Sequence, residues 1–571
     1  MNWHRFIWHS FVCVCILSGC NKKSNVAVDT DSAVDTGSSG NINETEDTVT
    51  SATSDSSHET ATAQSDATSD SNNDDTASVD EDTSGKADTA KEDDTGEHYT
   101  TDPWVIVDTE TEEWLIIDTV VFDTDTDAED DTTPTDPVDT ESDQYDLPLS
   151  HRYVQQGAAR VFDAGYSDGS LLVDATSTGN IVVSGYTANP LELDSDFNLD
   201  TDNPDYTLPF ILELSPSGEA LHKWTFPNGV YPNAAFVTDD KKVIWAGPAY
   251  TDNQFGTLTT AGLDNGYYVA RFDLASGEPE LLFSVETDDY AKVYAVTSDG
   301  AGDIYVAGWT GDQDWMPFSA KYDLFGQQQW ESVFPGSSSA SWFTDVEFIA
   351  DSHLIAGVGA FDSRIIIGDE TYNVDYRGDA TTNQDGFIVW QDDATGEPTN
   401  SLQIGSTDFN TVQAIDITAN GAYRLAGNMR GSMEFDGESI SGSDDLSTVL
   451  MEIDESGALH WFHVIEGNTR VRASGIDSAN RSHIVGQIDG HAKSFIAAID
   501  ENGNPIAMSV FATKGGNGGA SVAFDGEGGI WMTGEFTDGT MVTPSREWIE
   551  RDYRSSGFYL IRFVLEKNGS D

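Results

Sequence analysis

The chemistry that this sequence suggests first is the binding of a hard cation by oxygen ligands. One acidic run spaces six oxygen-bearing side chains at relative positions 1, 3, 5, 7, 9 and 12: Asp194, Asp196, Asn198, Asp200, Asp202 and Asp205. Calcium takes six to eight oxygen ligands, and this spacing is typical of a calcium-binding loop. The run departs from that pattern because position 6 is Leu199 instead of glycine and position 12 is aspartate instead of glutamate. Two interpretations stay open: a calcium site, or a chance spacing in a very acidic chain.

Patterns for catalysis or for a thiolate metal site are scarce. The three cysteines all lie in the first twenty residues, so the rest of the chain has neither a disulfide nor a thiolate ligand. The one G-x-S-x-G string, Gly165–Gly169, precedes an expected strand instead of the helix that a nucleophile elbow requires. Three acids on or near expected inner strands could supply a carboxylate pair that acts on sugars: Glu347, Asp416 and Asp477. We assign no catalytic residue and expect a protein without enzymatic activity.

The first twenty residues have the layout of an export signal. Arg5 gives a positive start, and Phe11–Leu17 is an apolar stretch too short to cross a bilayer, which takes about 20 apolar residues. Leu17-Ser18-Gly19-Cys20 resembles the lipobox of bacterial lipoproteins. The resemblance implies that residues 1–19 are a signal peptide and that Cys20 carries several acyl chains. Several acyl chains on one residue attach a protein firmly to a membrane. We therefore expect an exported protein, lipid-anchored at the outer membrane or cell surface.

Residues 20–147 form an acidic segment with few apolar side chains. Between Asn21 and Leu147 there are 37 acidic residues against four lysines, within a chain of 571 residues and net charge −73. Such a composition cannot bury enough apolar surface to offset the entropy of ordering, so we expect a disordered, extended stalk. Two apolar islands, Trp104–Thr109 and Trp114–Thr119, interrupt it, and each is typical of a short strand. The charge argues against nucleic acid and favours divalent cations or basic partners.

From Pro148 to Asp571 the sequence repeats itself seven times. A β-rich phrase ending in glycine occurs seven times between Gly179 and Gly534, and an apolar run leading to a glycine turn follows each one. Each unit reads as four strands, and four antiparallel strands repeated radially are typical of a β-propeller. The last unit ends after its third strand, whereas a strand-like run, His151–Phe162, precedes the first. We therefore expect an all-β, seven-bladed propeller over residues 148–571 whose ring is closed by an N-terminal strand.

The units resemble a bacterial propeller repeat, the SBBP type, which carries the phrase G-(D/N)-I-Y-V-(A/T)-G. Gly302–Gly308, which reads GDIYVAG, is a close match, and the longer form of the unit runs from Gly427 through Phe435 to Trp461. The resemblance covers about 420 residues. It implies the propeller fold and leaves the function open, because such propellers host many roles.

The connections between the second and third strands differ greatly in length. Counted from glycine to glycine, they span 33, 30, 18, 39, 30, 17 and 35 residues in the seven units. In a propeller these connections share one face, so five long ones form a rim that is the default binding surface. Long loops are also tolerated as decoration. Our leading hypothesis is a monomeric, surface-anchored binding or scaffold module for an unknown protein or glycan; the alternative is a calcium-dependent propeller that binds or acts on carbohydrate.

Overall fold

The computed structural model describes residues 104–107, 114–117 and 149–569. Within the last range it leaves out residues 158, 166–171, 188–190, 195–196, 200–207, 227–231, 250–252, 256, 261, 264, 313, 337–339, 375–382, 406–407, 409, 489–492, 513–517, 537–539, 543–547 and 551–555. The elements of the described part are all β-strands. Residues 1–19, Cys20 and most of the acidic segment 20–147 lie outside the described residues, so the signal peptide, the lipid anchor and the disordered stalk remain predictions.

Seven four-stranded antiparallel sheets follow one another along the chain and form the blades of a β-propeller. In blades 1 to 6 the strands pair in sequence order, from the inner first strand to the outer fourth strand. The strands of blades 1 to 3 are Leu172–Ala175, Ile181–Thr187, Leu208–Leu214 and Ala220–Thr225; Ala234–Val237, Lys242–Pro248, Gly266–Asp273 and Pro279–Glu286; and Ala291–Ser298, Ile304–Thr310, Met316–Tyr322 and Gln328–Val333. Those of blades 4 to 6 are Trp342–Ile349, Leu354–Phe361, Asp385–Asp392 and Pro398–Ile404; Asn410–Ile417, Tyr423–Met429, Ser447–Ile453 and Leu459–Ile465; and Thr469–Ile476, Ser482–Ile488, Lys493–Ile499 and Pro505–Ala512.

Blade 7 takes its outer strand from the other end of the domain. Its first three strands are Gly518–Phe524, Ile530–Phe536 and Ser556–Lys567. Two segments from the start of the domain, His151–Gln155 and Arg160–Gly165, pair antiparallel with the third of these. The prediction that His151–Phe162 closes the ring beside the C-terminal strand is confirmed. An all-β, seven-bladed propeller is therefore the architecture of this domain, and its closure leaves no open gap between the first and last blades.

Burial between neighbouring blades explains why the repeated phrase stands out in the sequence. The second strands Ile181–Thr187, Leu354–Phe361 and Ser482–Ile488 are buried along their whole length. The outer strand Ala220–Thr225, by contrast, has no fully buried residue. Strands that are covered on both sides read as continuous apolar runs, whereas half-covered strands mix apolar and polar residues. The second strand is therefore the easiest part of each blade to recognise.

A tryptophan and a glycine join neighbouring blades. Three outer-strand tryptophans each pack on the glycine in the turn between the third and outer strands of the next blade: Trp224 on Gly277, Trp330 on Gly396 and Trp461 on Gly503. A Cβ atom on these glycines would lie only 1.5, 2.5 and 2.7 Å from the indole rings. The three glycines also have positive φ angles, which glycine adopts at little cost. Blade-to-blade packing thus explains the recurrent glycine of the second repeat phrase.

Five of the seven connections between the second and third strands contain a two-stranded hairpin. The hairpins belong to blades 1, 2, 4, 5 and 7 and comprise Leu191–Asp194 with Phe197–Leu199, Asn253–Phe255 with Leu258–Thr260, Arg364–Ile367 with Glu370–Asn373, Ser432–Phe435 with Glu438–Ser441, and Thr540–Val542 with Trp548–Glu550. These are the five long connections predicted from the sequence. Because the second strand of every blade ends at the same face, we call the face that carries them the loop face.

The register of blade 7 fixes the face at which the chain enters the ring. His151 pairs with Lys567 at the end of the last strand, whereas Arg160 pairs with Leu560 nearer its beginning. The third strand of a blade begins at the loop face and ends at the opposite face. The chain that precedes His151 therefore joins the propeller at the face opposite the loop face.

The two apolar islands of the acidic segment pair with each other. Trp104–Val107 and Trp114–Ile117 are short antiparallel strands in which Trp104 lies opposite Ile117. The structure therefore has each island as a strand, as the sequence indicated. In the part of the chain that the structure describes, no helix is long and apolar enough to cross a membrane.

Candidate functional site

The acidic run predicted to bind calcium lies around the hairpin of blade 1. The backbones of Asp194 and Asn198 belong to its two strands, where Asp194 is paired with Phe197 and Asn198 with Glu192. The other four candidate ligands lie outside the described residues: Asp196, Asp200, Asp202 and Asp205. Among the described residues, no group of three or more potential ligands is arranged to hold a metal ion. Calcium binding by this run stays a prediction.

Four aromatic side chains form a continuous row at the loop face of blade 3. Tyr290 and Trp309 stack with ring centroids 5.4 Å apart, and Trp309 and Trp315 stack at 4.4 Å with an angle of 15° between their planes. Trp342 then meets Trp315 edge to face at 6.5 Å. Trp309 is buried, whereas the other three rings are half-buried. We call these four residues the aromatic row; its half-buried rings offer apolar surface to a ligand, and such rings dominate many binding interfaces.

The strand order of the ring brings the aromatic row together. Trp309 lies near the end of the second strand of blade 3, and Trp315 immediately precedes the third strand. Tyr290 precedes the first strand of the same blade, and Trp342 begins the first strand of blade 4. All four positions are strand ends at the loop face. The described residues of the blade 3 connection form no hairpin, so the row lies between the hairpins of blades 2 and 4.

A tight turn ties two parts of this site together. The Gly311 backbone N–H donates to the Tyr290 carbonyl over 2.9 Å, which joins the connection of blade 3 to the segment that enters its first strand. Gly311 has a φ of +124°, and a Cβ atom there would lie 2.1 Å from the Asp314 carbonyl oxygen. Only glycine fits such a backbone. The turn therefore fixes the positions of Trp309 and Trp315 on either side of it.

The segments that carry the aromatic row are acidic. Five carboxylates on them are exposed: Glu286, Asp288, Asp289, Asp312 and Asp314. A cation–ring contact lies next to the row, since the Lys292 ammonium is 5.0 Å from the centre of the Tyr294 ring. The Tyr294 hydroxyl in turn accepts a hydrogen bond from the Trp309 indole N–H over 3.3 Å. The site thus combines ring faces, which attract cations, with a negative surround.

The three acids considered for a sugar-cleaving pair are all buried in the ring. Glu347 and Asp416 lie in the first strands of blades 4 and 5, and Asp416 accepts a hydrogen bond from the Ser474 hydroxyl over 2.5 Å. Asp477 follows the first strand of blade 6 and accepts hydrogen bonds from Arg481 and His483. Burial alone would raise the pKa of Asp477, but the hydrogen bonds and charges of these partners hold it below its usual value. The described hydrogen bonds of Asp416 and Asp477 join them to other side chains of the propeller, so we assign neither residue a catalytic role.

The hydrogen-bonded pair Asp477 and His483 also connects the ring-closing strand to blade 6. The Tyr153 hydroxyl lies 2.8 Å from His483 Nδ1, and His483 Nε2 lies 3.0 Å from the Asp477 carboxylate. The Asp477 contact assigns the imidazole proton to Nε2, so that Nδ1 accepts the Tyr153 hydroxyl proton. Tyr153 and His483 are both buried. This hydrogen-bonded chain is a structural link at the junction where the N-terminal strand completes the ring.

The sequence reasoning missed the aromatic row. Trp309 and Trp315 lie close together in the sequence, on either side of a short connection at the loop face. Two tryptophans at such a spacing are a sequence signal for an aromatic cluster. Tyr290 and Trp342 belong to the segments that enter two successive blades, so only the ring geometry shows that they join the same row. The row lies on the face that the variable connections predicted to be the binding surface.

Comparison with known proteins identifies no family. No protein-family model matches the chain, and no curated protein matches it. A streptogramin B lyase structure has 12% identity and a TM-score of 0.37 over 71% of this chain and 97% of that one. The RRP9 WD40 repeats have 8% identity and a TM-score of 0.39 over 72% and 100%, and the Neurospora crassa Pan2 WD40 domain has 12% and 0.38 over 74% and 98%. At these values the likenesses carry no functional argument, and the fold rests on the strand pairing.

Proposed function

We propose that this chain is a lipid-anchored surface lipoprotein whose propeller, built of SBBP-type repeats, is a non-enzymatic binding module. The loop face is its binding surface, and a protein or glycan is its partner. The proposal combines the lipobox-like sequence at Cys20 with the propeller domain. The propeller fold by itself fits a binding or scaffold role, because its loops vary while its blades stay rigid.

One observation carries the binding role: the loop face combines five hairpins with the aromatic row. Hairpins lie in the connections of blades 1, 2, 4, 5 and 7, and the half-buried rings lie over blade 3, between the hairpins of blades 2 and 4. Concave surfaces with aromatic floors and a few polar groups are the usual form of a binding site. The described connections at the opposite face are short turns between strands.

The entry point of the chain supports the display of this face. The segment before His151 joins the ring at the face opposite the loop face. A tether that begins at Cys20 therefore reaches the propeller from behind its binding surface. The acidic segment between them would hold the domain away from the membrane, because like charges extend a flexible chain.

The anchor is tested by replacing the cysteine that would carry the lipid. Cys20→Ser should abolish palmitate labelling and move the protein out of the membrane fraction, since the acyl chains provide the attachment. Cys15→Ser is the matched control, because it lies inside the apolar stretch of the leader and should leave labelling unchanged. Equal labelling and equal membrane association of the Cys20→Ser variant would disprove the lipid anchor.

The binding surface is tested by removing one aromatic ring from each face. Trp315 is in the aromatic row, whereas Phe325 is the most exposed large apolar side chain of the described part and lies in a turn at the opposite face. Trp315→Ala should abolish cross-links between the full-length protein and its partners on intact cells, and Phe325→Ala should retain them. If both variants give the wild-type pattern, the loop face is not the binding surface.

The second candidate is a calcium-dependent propeller that binds or acts on carbohydrate. The observation in its favour is the regular spacing of oxygen ligands around the hairpin of blade 1. An ion that binds only the folded state stabilises it, by about 2.7 kcal/mol at a concentration one hundred times its Kd. Calcium should therefore raise the Tm of the wild type, and the Asp196→Asn, Asp202→Asn double variant should lose the shift. A Tm that is the same in calcium and in chelator removes this candidate.

A further inference from the structure

We propose that the aromatic row binds a cationic peptide segment, an arginine- or lysine-rich stretch of a partner protein. The inference rests on the proposed binding function and names the chemistry of the partner for the same surface.

The geometry of the aromatic row suits an extended, flexible side chain. Tyr290, Trp315 and Trp342 are half-buried, so each keeps part of its ring open to a ligand. Trp309 is buried between Tyr290 and Trp315 and holds them in a fixed stack. Neighbouring rings thus follow one another at spacings of 4.4 to 6.5 Å. A guanidinium or ammonium group within about 6 Å of a ring centre is attracted by the negative face of the ring.

The charges around the row select a positive partner. The exposed carboxylates lie beside the rings in sequence: Asp288 and Asp289 precede Tyr290, and Asp312 and Asp314 lie between Trp309 and Trp315. Arginine and lysine pair with carboxylates through charge-assisted hydrogen bonds. The net charge of −73 extends the same preference over the whole chain and would speed the encounter with a basic partner.

A cation–ring contact of the proposed kind is built into the site. The Lys292 ammonium lies 5.0 Å from the centre of the Tyr294 ring, and Tyr294 is hydrogen-bonded to Trp309. Lys292 is itself paired with Trp309 across the first two strands of blade 3. A ring that is hydrogen-bonded to the aromatic row therefore already contacts a cation.

A glycan is the weaker fit to these observations. A neutral sugar also stacks on aromatic rings, but it gains nothing from the long-range field of the carboxylates. An acidic sugar or a phosphate backbone would be repelled by them. Only a cationic ligand is therefore attracted both by the aromatic rings and by the carboxylates around them.

The test measures binding of labelled hexa-arginine to the detergent-solubilised full chain by fluorescence anisotropy. The control peptide is a citrulline hexamer, which has nearly the same shape without charge. Trp315→Ala should weaken hexa-arginine binding at least ~5-fold, because it removes one cation–ring contact and leaves every charge in place. The Asp312→Asn, Asp314→Asn double variant should weaken it by a similar factor, and Phe325→Ala should leave it unchanged. A melting curve checks that each variant folds, and Tyr290→Ala replaces Trp315→Ala if the latter does not.

The outcomes separate this inference from the proposed function. Equal affinity of wild type and Trp315→Ala would mean that hexa-arginine binds to the acidic segment by charge alone, which overturns the inference. Binding of a neutral hexasaccharide that Trp315→Ala abolishes, with hexa-arginine unaffected, would also overturn it and identify a glycan surface. Both of these results leave the proposed function intact. Only the cell-surface cross-linking with Trp315→Ala and Phe325→Ala decides whether the loop face binds a partner at all.

Discussion

Asp174 illustrates how burial changes proton affinity at a single residue of the ring. It lies in the first strand of blade 1, and its carboxylate accepts backbone N–H groups of Ala175 at 2.7 Å and of Val237 in blade 2 at 2.8 Å. Burial raises the pKa of Asp174 to about 7, although these hydrogen bonds oppose the shift. The folded protein thus takes up a proton near neutral pH that the unfolded chain, with a pKa of 3.8, takes up only in acid.

This difference makes the stability contribution of Asp174 depend on pH. Because the folded state binds the extra proton between the two pKa values, the free energy of unfolding of the wild type should rise relative to Asp174→Asn as the pH falls from about 7 to about 4. The rise is at most ~4 kcal/mol, at about 1.4 kcal/mol per pKa unit. Denaturant unfolding of both proteins across this range measures it. A difference that stays constant with pH would contradict the assignment.

His483 should act in the opposite direction. Its burial lowers the pKa below the ordinary value of 6.5, although the Asp477 carboxylate opposes the shift. The unfolded chain therefore binds a proton at a pH where the folded protein does not, and wild-type stability should fall relative to His483→Gln as the pH drops through 6.5.

A second variant separates titration from hydrogen bonding at this position. Tyr153→Phe removes the hydroxyl that contacts His483 Nδ1 and should cost about 1 kcal/mol at every pH, while His483 still titrates. Denaturant unfolding at several pH values follows both variants. The Tyr153→Phe curve should run parallel to that of the wild type. If the wild-type and His483→Gln curves instead run parallel to each other, His483 is not the titrating group.

Single residues were the least predictable part of the molecule. Cys20 and the acidic run from Asp194 to Asp205 could be proposed from local spacing, because each is a contiguous motif, and the role of each stays a prediction. The aromatic row does not, since Tyr290 and Trp342 join it through the packing of successive blades. The buried link from Tyr153 to His483 joins residues 330 positions apart, and no local pattern marks it.

At the level of the elements, the glycine in the turn between the third and outer strands positions each blade against the next. Gly396 shows this best, because its φ is +73° and a Cβ atom would lie 2.5 Å from Trp330. Both the backbone conformation at this position and the space beside it therefore favour glycine. Trp330 also donates its indole N–H to the Asp393 carbonyl over 2.8 Å, so it has little freedom to move away.

Gly396→Ala should therefore lower the free energy of unfolding by ~2–4 kcal/mol, through backbone strain plus displacement of Trp330. The matched control is Gly421→Ala, where φ is +82° and no atom lies within 4 Å of the added Cβ. It should cost only the backbone strain, about 1 kcal/mol. Thermal and denaturant unfolding compare the two variants. Equal losses would show that the indole contact contributes nothing.

The elements were the most predictable part, and the reason is their repetition. Seven recurrences of a buried strand phrase and seven glycine turns each support the same assignment, so an error in one unit is corrected by the others. The five long connections also matched the five hairpins. The sequence did not reveal that these connections are structured, because strands of three or four residues carry too little pattern.

For the whole molecule, the ring closure predicts where the chain can be shortened. A chain that begins at residue 149 keeps both closing segments, whereas one that begins at residue 166 exposes the edge of Ser556–Lys567. The first should melt cooperatively and stay monomeric. The second should melt at a lower temperature and aggregate, because an unpaired strand edge recruits other chains. Light scattering during a thermal scan distinguishes them, and identical behaviour of the two would show that the closing strand is dispensable.

The register of the closing strand also determines how this ring resists mechanical force. A pull through the tether would reach the propeller at His151, while a ligand on the loop face would pull the blades the other way. These forces act along the strand axis, so His151–Gln155 and Ser556–Lys567 would be loaded in shear, with their hydrogen bonds strained together. A pull across the strands would instead unzip the same bonds one at a time and at lower force. Under the proposed function, this joint would hold best when the ligand pulls the domain away from the membrane.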